Sequence, residues 1–362
     1  MNIDLFHKQL HFKTPARTSR GSYDVHNMVI VSMTDDNGRI GLGECAPLPD
    51  LSCDRDVYIR MSDVARLINE ALASDDYADY LRPYPALLFA LESAMYDMTK
   101  SPILYDTPFA RCEEGIPFNG LVWMGSYDEM LAQVKKKILA GHRCIKLKIG
   151  AIEWDEEMEL IRFIRSKYRK DSLELRVDAN CKIAPIPSEG EDTARWEQEV
   201  INRLQQLATY DIHSIEQPIP VGNWKFMAEL CKPSRSPRGD GGGFLPIALD
   251  EELIGLNQLH EKQAMLDTIK PQYIVIKPTL HGGISGSIEW VSEARKRGIG
   301  SWMTSALESN IGLRNVALLA ARCYGPNITF PQGLGTGQLF TDNISMDMIT
   351  RGAKMWREET VG

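Results

Sequence analysis

Short apolar runs alternate with longer amphipathic segments over most of the chain, from about residue 115 to residue 335. The eight apolar runs occupy residues 116–123, 144–149, 173–180, 212–218, 245–251, 273–278, 300–309 and 327–335. Each run has the length and composition of a strand, and the segments between the runs have the apolar spacing of helices. Strands that alternate with helices form a parallel sheet, and eight such units predict an α/β protein with a closed TIM-type barrel.

The two ends of the chain have a different pattern. Strand-like and helix-like segments, such as 26–35 and 85–99, occur in blocks near the amino terminus, which is typical of an α+β domain. The segment after residue 335 is longer than the end of a barrel requires. We therefore expect an α+β domain over 1–112, a barrel over 113–335, and a tail over 336–362 that returns to the first domain.

Composition narrows the class of protein. The chain has 362 residues, 43% of them hydrophobic and 25% charged, which suits a folded protein with a large core. A net charge of -8 argues against a nucleic-acid partner, which usually meets a basic surface. Seven scattered cysteines without a CxxC pair indicate reduced thiols, and no apolar run reaches the ~18 residues of a membrane span. We expect a cytoplasmic protein with no membrane partner.

Polar residues recur near the ends of the predicted strands. Their spacings lie between 27 and 38 residues, close to the ~31 that a barrel of ~250 residues gives each of its eight units. The residues are Lys148, Asp178, Glu216, Asp250, Lys277 and Ser305. They therefore fall on strands two to seven, at the carboxyl-terminal face where barrel enzymes carry their active sites.

Three of these residues are acids on consecutive strands. Asp178, Glu216 and Asp250 would repel one another strongly if all three were ionised without a cation among them. A set of oxygen ligands without histidine or cysteine favours magnesium or a similar hard ion. The alternative is that each acid only caps the helix that follows its strand; three acids in phase favour the metal.

The lysines lie on opposite sides of these acids. Lys146 and Lys148 share one face of strand two, because side chains alternate along a strand, and Lys277 lies on strand six. Lys148 is nearer the carboxyl end and is the predicted base; Lys146 and a metal would lower its pKa, and Lys146 would also hold a substrate carboxylate. The chemistry is proton removal alpha to a carboxylate, as in a racemase, a dehydratase or a cycloisomerase.

A set of motifs then points to a family. The stretches "KLK", "RVDAN", "IEQP", "ALDEEL" and "IKPTLHGG", in this order, resemble the muconate-lactonizing subgroup of the enolase superfamily. The stretch "GLGECAPLPDLS" resembles the loop that closes over the substrate there. The resemblance implies a modified (β/α)7β barrel and a capping domain built from both chain ends. It also implies Mg2+, with Mn2+ as a substitute, on the three acids, Lys148 as base and Lys277 opposite it.

Within the subgroup, "FNGLVW", "TSALESNIGL" and "PQGLGTG" are most similar to the dehydratases. This resemblance implies that Lys148 takes the alpha proton and then helps the hydroxyl leave, while Lys277 stabilises the enediolate. It also implies that Ser305 and Asn119 line the substrate pocket and that Arg176 contacts the substrate carboxylate through water.

Several alternatives remain open. Dipeptide epimerases of the subgroup usually carry Asp-x-Asp where this chain has "PQGLGTG", which argues against an amino-group substrate. Racemisation of an N-succinylamino acid is not excluded, and neither is a homo-oligomer. A non-catalytic barrel would not need lysines on opposed strands, and a metal-dependent hydrolase would need histidine ligands at the strand ends. His281 is expected to be a loop residue, and Glu251 to point away from the barrel interior.

Overall fold

A computed structural model describes residues 1–18, 21–56, 60–150, 152–187, 193–232 and 245–359. The predicted tail therefore extends beyond the described residues at 360–362. The strands are β1 Asn2–Thr18, β2 Gly21–Thr34, β3 Ile40–Cys45, β4 Ile116–Pro117, β5 Gly120–Val122, β6 Cys144–Lys148, β7 Glu174–Asp178, β8 Ser214–Glu216, β9 Ile247–Leu249, β10 Tyr273–Ile276, β11 Gly300–Met303, β12 Met348–Arg351 and β13 Lys354–Arg357.

The α-helices are α1 Met61–Ala73, α2 Tyr77–Tyr80, α3 Pro85–Thr99, α4 Pro102–Tyr105, α5 Tyr127–Leu139, α6 Trp154–Lys167, α7 Thr193–Ala208, α8 Trp224–Leu230, α9 Leu259–Ile269, α10 Gly283–Lys296 and α11 Asn310–Tyr324. Short 3-10 helices lie at Glu251–Leu253 and Gly335–Gln338. Within the described ranges, no helix has both the length and the apolar character needed to cross a membrane.

The barrel is a parallel sheet of seven strands in the order β5 to β11, each followed by one of the helices α5 to α11. The eighth predicted run does not form a regular strand. Instead, two isolated parallel bridges close the sheet, one between Phe118 and Gln332 and one between Thr304 and Gly333. The α/β barrel of the modified (β/α)7β type is thus confirmed, together with an amino-terminal capping domain.

The first predicted run of the barrel divides into two strands. β4 pairs with β13 of the tail in a separate small sheet, and β5 begins the barrel. The tail also reaches the amino-terminal domain, because Lys13 N donates to Leu339 O at 2.8 Å. The domain boundaries at 112/113 and 335/336 stay predictions.

The capping domain packs its antiparallel sheet β1–β2–β3 closely against α3. Glycines on β3 make this approach possible: a Cβ on Gly41 would lie 2.1 Å from Ala94 O, and one on Gly43 would lie 1.8 Å from Ala90 O. Any larger residue there would push the sheet away from the helix.

Two buried glutamates of the capping domain hold it to the barrel. Glu92 on α3 accepts from the backbone N–H of Ile284 at 2.6 Å, at the start of α10. Glu44 on β3 accepts from the backbone N–H of Ser309 at 2.8 Å, at the start of α11. Helix amino termini attract negative charge, but burial raises the pKa of both carboxyl groups to about 7.

This burial predicts a measurable dependence of stability on pH. The pKa of Glu92 is higher in the folded state than in the unfolded state, so its contribution to stability is present at low pH and is lost as pH rises through about 7. In Glu92→Gln this titration is absent. We expect the unfolding free energy of the wild type, relative to the variant, to fall by on the order of 2 kcal/mol between pH 4.5 and 8. Denaturant unfolding at several pH values measures it, with Glu113→Gln as an exposed control; a difference that rises with pH would contradict it.

Candidate active site

Strand register brings the predicted residues together at the carboxyl ends of the barrel strands. Lys148, the last residue of β6, is the direct neighbour of Asp178 at the end of β7, and Asp178 is the neighbour of Glu216 at the end of β8. Asp250 follows β9, and Lys277 follows β10. The prediction that these five residues share one end of the barrel therefore agrees with their placement.

Lysines and acids alternate across this end of the barrel. The Lys146 ammonium lies 2.6 Å from Glu216 Oε1 and 2.9 Å from Asp178 Oδ2. Lys148 Nζ lies 3.4 Å from Asp178 Oδ2, and Lys277 forms an ion pair with Asp250. All three acids are almost fully buried. Buried charges of this kind persist only when they are paired with opposite charges.

The charges shift one another's pKa values. Burial alone would raise the pKa of Asp178, but the neighbouring Lys146 and Lys148 hold it below its usual range. Burial and the charge of Asp178 together raise the pKa of Glu216 to about 8. Burial would lower the pKa of Lys277, but Asp250 and Glu251 raise it above its ordinary value. The protein's own lysines thus leave at least one carboxyl group short of a compensating positive charge.

A carboxyl group that lacks a compensating positive charge leaves room for a metal cation among the three acids. Asp250 Oδ1 is buried and lacks a hydrogen-bond partner within the described part of the chain. Three buried carboxylates with such an atom form the oxygen donor set that hard divalent ions prefer. No group of three or more His, Cys, Asp or Glu in the described ranges is already spaced to hold a metal ion. The ammonium groups of Lys146 and Lys277 lie against the carboxylate oxygens instead.

A pocket lies between the lysines at the end of the barrel and the capping domain. Its barrel side includes Lys146, Lys148, Asp178, Lys277, Asn119 and Ser305, and its capping side includes Tyr23, Leu48 and Leu51. Asn119 and Ser305, both predicted to bind substrate, therefore do line the pocket. The Ser305 hydroxyl donates to Glu308 at 2.5 Å and accepts from Thr336 at 2.5 Å, which fixes its orientation.

Arg176 lies outside the pocket, contrary to the expectation that it reaches the substrate carboxylate through water. It precedes Asp178 by two residues on the same face of β7, but it lies one layer deeper and does not line the pocket. Its guanidinium pairs with Glu174 at 2.6 Å and lies between the rings of Trp302 and Phe330, at 4.4 and 4.3 Å from their centroids. The shared face was predicted correctly, but depth along the strand places Arg176 among aromatic rings, outside the pocket.

Three further side chains support the site: Asn180 was missed, Glu251 was expected to point away, and His281 lies in a loop, as expected. Asn180 accepts from Lys148 Nζ at 2.8 Å, and its left-handed backbone, with φ of 42°, turns it back to that lysine. Glu251 lines the pocket beside Asn180, contrary to the expectation that it points away. His281 is buried; its Nδ1 accepts from the Lys277 N–H at 2.9 Å, and its Nε2 lies 3.9 Å from Asp250. The only sequence signal was their closeness to the acids and lysines.

The fold and the site first define a class of enzyme. Residues 129–350 match the family model described as "Enolase C-terminal domain-like". A barrel that combines this domain with acids and lysines at its carboxyl-terminal end is an enolase-type enzyme, and enzymes of this superfamily use a divalent metal ion.

The particular family follows from a curated relative. The chain is 39% identical to the o-succinylbenzoate synthase of Desulfotalea psychrophila, over 97% of this chain and 98% of the relative. It therefore belongs to the o-succinylbenzoate synthase family of the enolase superfamily, and it is an enzyme of the lyase class. The resemblance stated from the motifs is thus confirmed.

Solved structures agree on the fold. The crystal structure of MenC from Desulfotalea psychrophila is 35% identical, with a TM-score of 0.74 over 98% of this chain and 99% of that one. An N-succinyl Arg/Lys racemase from Bacillus cereus has a TM-score of 0.75 at 20% identity, covering 99% of this chain and 92% of that one. The second likeness shows the fold alone.

Proposed function

We propose that this enzyme is a magnesium-dependent dehydratase. It would convert 2-succinyl-6-hydroxy-2,4-cyclohexadiene-1-carboxylate to 2-succinylbenzoate, the o-succinylbenzoate synthase step of menaquinone biosynthesis. The observation that carries the proposal is the pocket that presents Lys148 and Lys277 around three buried carboxylates, in a chain 39% identical to a synthase of this name. Its substrate is a small carboxylic acid.

Asp178, Glu216 and Asp250 would hold the metal ion. When bound, magnesium supplies positive charge that stabilises the negative charge developing on the substrate carboxylate as the alpha proton leaves. The raised pKa of Glu216, caused by burial and by Asp178, supports this assignment, because a carboxyl group in that state gains from an added cation. Manganese, a similar oxygen-binding ion, would be a substitute.

Lys148 would remove the alpha proton and then return it to the departing hydroxyl. Its side-chain nitrogen, which takes the proton as the neutral amine, donates to Asn180 Oδ1 at 2.8 Å, and the side chain is 12% exposed, so it reaches the pocket while bulk water is limited. The same group serves both steps, so the proton and the hydroxyl leave from the same face of the ring. Lys146, fixed between two acids, would help position the substrate carboxylate.

Lys277 would act as a permanent cation on the other side of the substrate. The neighbouring acids raise its pKa despite its burial, which keeps it protonated at neutral pH. A cation in this place stabilises the anionic intermediate without transferring a proton.

A conservative substitution tests this role. In Lys277→Arg the positive charge remains, but a guanidinium does not lose its proton in proteins. We expect measurable dehydration to remain and racemisation of N-succinylamino acids, if the wild type performs it, to be lost. Both activities should be assayed on one preparation; loss of dehydration to the background rate, although the positive charge remains, would contradict the role of Lys277 as a cation.

A second activity, N-succinylamino acid racemisation, has one observation in its favour. Racemisation needs a proton carrier on each face of the substrate, and both Lys148 and Lys277 reach the pocket. Their positions suit this reaction as well as dehydration.

One comparison tests the proposed function directly. Purified enzyme with magnesium is given the cyclohexadiene acid and, in parallel, an N-succinylamino acid, and the initial rates are compared. We expect fast formation of 2-succinylbenzoate that stops when EDTA removes the metal. No turnover of the cyclohexadiene acid would overturn the proposal, and turnover of the N-succinylamino acid alone would favour the racemase.

A further inference from the structure

The first strand of the capping domain has a long free edge. β1 lies at the edge of the sheet β1–β2–β3, and the described residues cover only part of its outer side. There, Lys13 N donates to Leu339 O and Thr341 N donates to His11 O, at 2.8 and 2.9 Å. Within the described part of the chain, no other strand pairs with the outer side of residues 2–10. Proteins usually cover or interrupt such edges, because open edges attract other strands.

The hydrogen bonds of His11, in the part of β1 that the tail covers, show which backbone groups of β1 point outward. Both the N–H and the C=O of His11 point outward, since they bond Asp342 and Thr341. Backbone groups of residues two apart point to the same side of a strand. The outward N–H and C=O groups of the free stretch are therefore those of Ile3, Leu5, His7 and Gln9.

The free stretch is also self-complementary. Its centre is Phe6, whose own backbone groups point inward to β2. If two copies pair antiparallel about a two-fold axis at Phe6, Leu5 pairs with the partner's His7 through the outward groups, and Ile3 pairs with the partner's Gln9. In each of these pairs the outward backbone N–H and C=O groups of one copy meet those of the other copy. An antiparallel ladder requires this arrangement for its hydrogen bonds. The pairing uses the whole uncovered stretch and ends where the tail begins to cover β1.

The side chains fit the same register. Asp4 then lies opposite the partner's Lys8, and Lys8 opposite the partner's Asp4, so that the axis generates two oppositely charged pairs. Phe6, which is 54% exposed in the single chain, lies opposite its own copy. Residues in such a non-hydrogen-bonded pair have the closest side chains of the ladder. A shift of the register by two residues would break both charge pairs.

We propose that residues 2–10 of β1 form a dimer interface, at which two copies of this chain pair antiparallel about Phe6. The two capping sheets then form one continuous six-stranded sheet. The occupant is a second copy, because the two-fold register matches opposite charges with no other sequence required.

A charge exchange tests this register. Sedimentation velocity over a range of concentrations would compare the wild type with Asp4→Lys, with Lys8→Asp and with the double variant. We expect the wild type to reach about twice the 40.8 kDa of one chain. Each single variant places like charges opposite each other twice and should weaken association about tenfold or more. The double variant restores both opposite pairs and should recover the wild-type association.

A cross-link gives an independent measurement. Phe6→Cys would place two thiols directly across the axis, where an intermolecular disulfide should form on mild oxidation. His7→Cys is the matched control, because its copies would lie apart on either side of the axis. None of these residues lines the active-site pocket, so retained enzyme activity reports that each variant is folded.

The outcomes separate clearly. Weakened single variants, a recovered double variant and a disulfide specific to Phe6→Cys support the interface. A monomeric wild type, or a dimer that is unchanged in both single variants, would overturn it. Because assembly is measured without substrate or metal, this result does not depend on the proposed function.

Discussion

Lys148→Ala should lower kcat by about 10³-fold or more, the largest effect expected for a single side chain in this enzyme. The amine would be removed from the position where it lies between Asp178 and Asn180. Lys146, which shares its face of β6, lies against Asp178 and Glu216 and cannot replace it. KM should change much less, because Lys146 and Lys277 still supply positive charge for the substrate carboxylate.

Steady-state assays with the cyclohexadiene acid would measure this effect. Magnesium binding, followed by calorimetry without substrate, and the unfolding transition should remain near those of the wild type. Lys136→Ala, at an exposed lysine on α5, is the matched control and should leave kcat unchanged. A Lys148→Ala enzyme that retains a tenth or more of wild-type kcat would exclude Lys148 as the base.

Asp250→Asn should weaken magnesium affinity by about 100-fold or more, since it removes one of the three negative charges of the donor set. The substitution keeps the size of the side chain while removing its charge. It also leaves the partly buried Lys277 without its ion-pair partner. Loss of one partner of a fully buried pair costs roughly 3–5 kcal/mol, and the partial exposure of Lys277 makes the cost here smaller. Both magnesium affinity and metal-free stability should therefore fall.

Titration calorimetry with magnesium and denaturant unfolding in EDTA separate these two effects. Asp267→Asn is a suitable control, because Asp267 pairs with Arg297 on the barrel exterior, far from the donor set. If magnesium affinity in Asp250→Asn stays within a few-fold of the wild type, Asp250 is not a ligand. An unchanged stability in EDTA would contradict the importance of its pair with Lys277.

Much of the fold could be predicted because periodicity is local. The seven barrel strands β5 to β11 all lie within predicted apolar runs, because a strand covered on both sides must be apolar along its length. The eighth run was less well predicted: 327–335 closes the barrel through single bridges at Gln332 and Gly333 instead of a regular strand. The division of 116–123 between β4 and β5 was also missed, since the partner of β4 is in the distant tail.

For the candidate site, the sequence predicted which face of a strand each side chain lies on, but not the contacts it makes with distant parts of the chain. Strand alternation correctly put Lys146, Lys148 and Asp178 on the inner face of neighbouring strands, and the spacing of the units put Asp250 and Lys277 at the same end. Alternation does not report depth, however. Arg176 shares the inner face of Asp178 but lies in a deeper layer, between two aromatic rings contributed by other parts of the chain.

The amino-acid sequence by itself determined the barrel class, the order of its units and the end at which the charged residues gather, because all three follow from patterns repeated along the chain. Only the tertiary structure decided which charges touch, that Asn180 holds Lys148, and that Glu251 and His281 stand beside the acids. The physical reason is that hydrogen bonds and ion pairs depend on distances of a few ångströms between strands far apart in sequence. Those distances are set by the packing of the whole barrel and its capping domain.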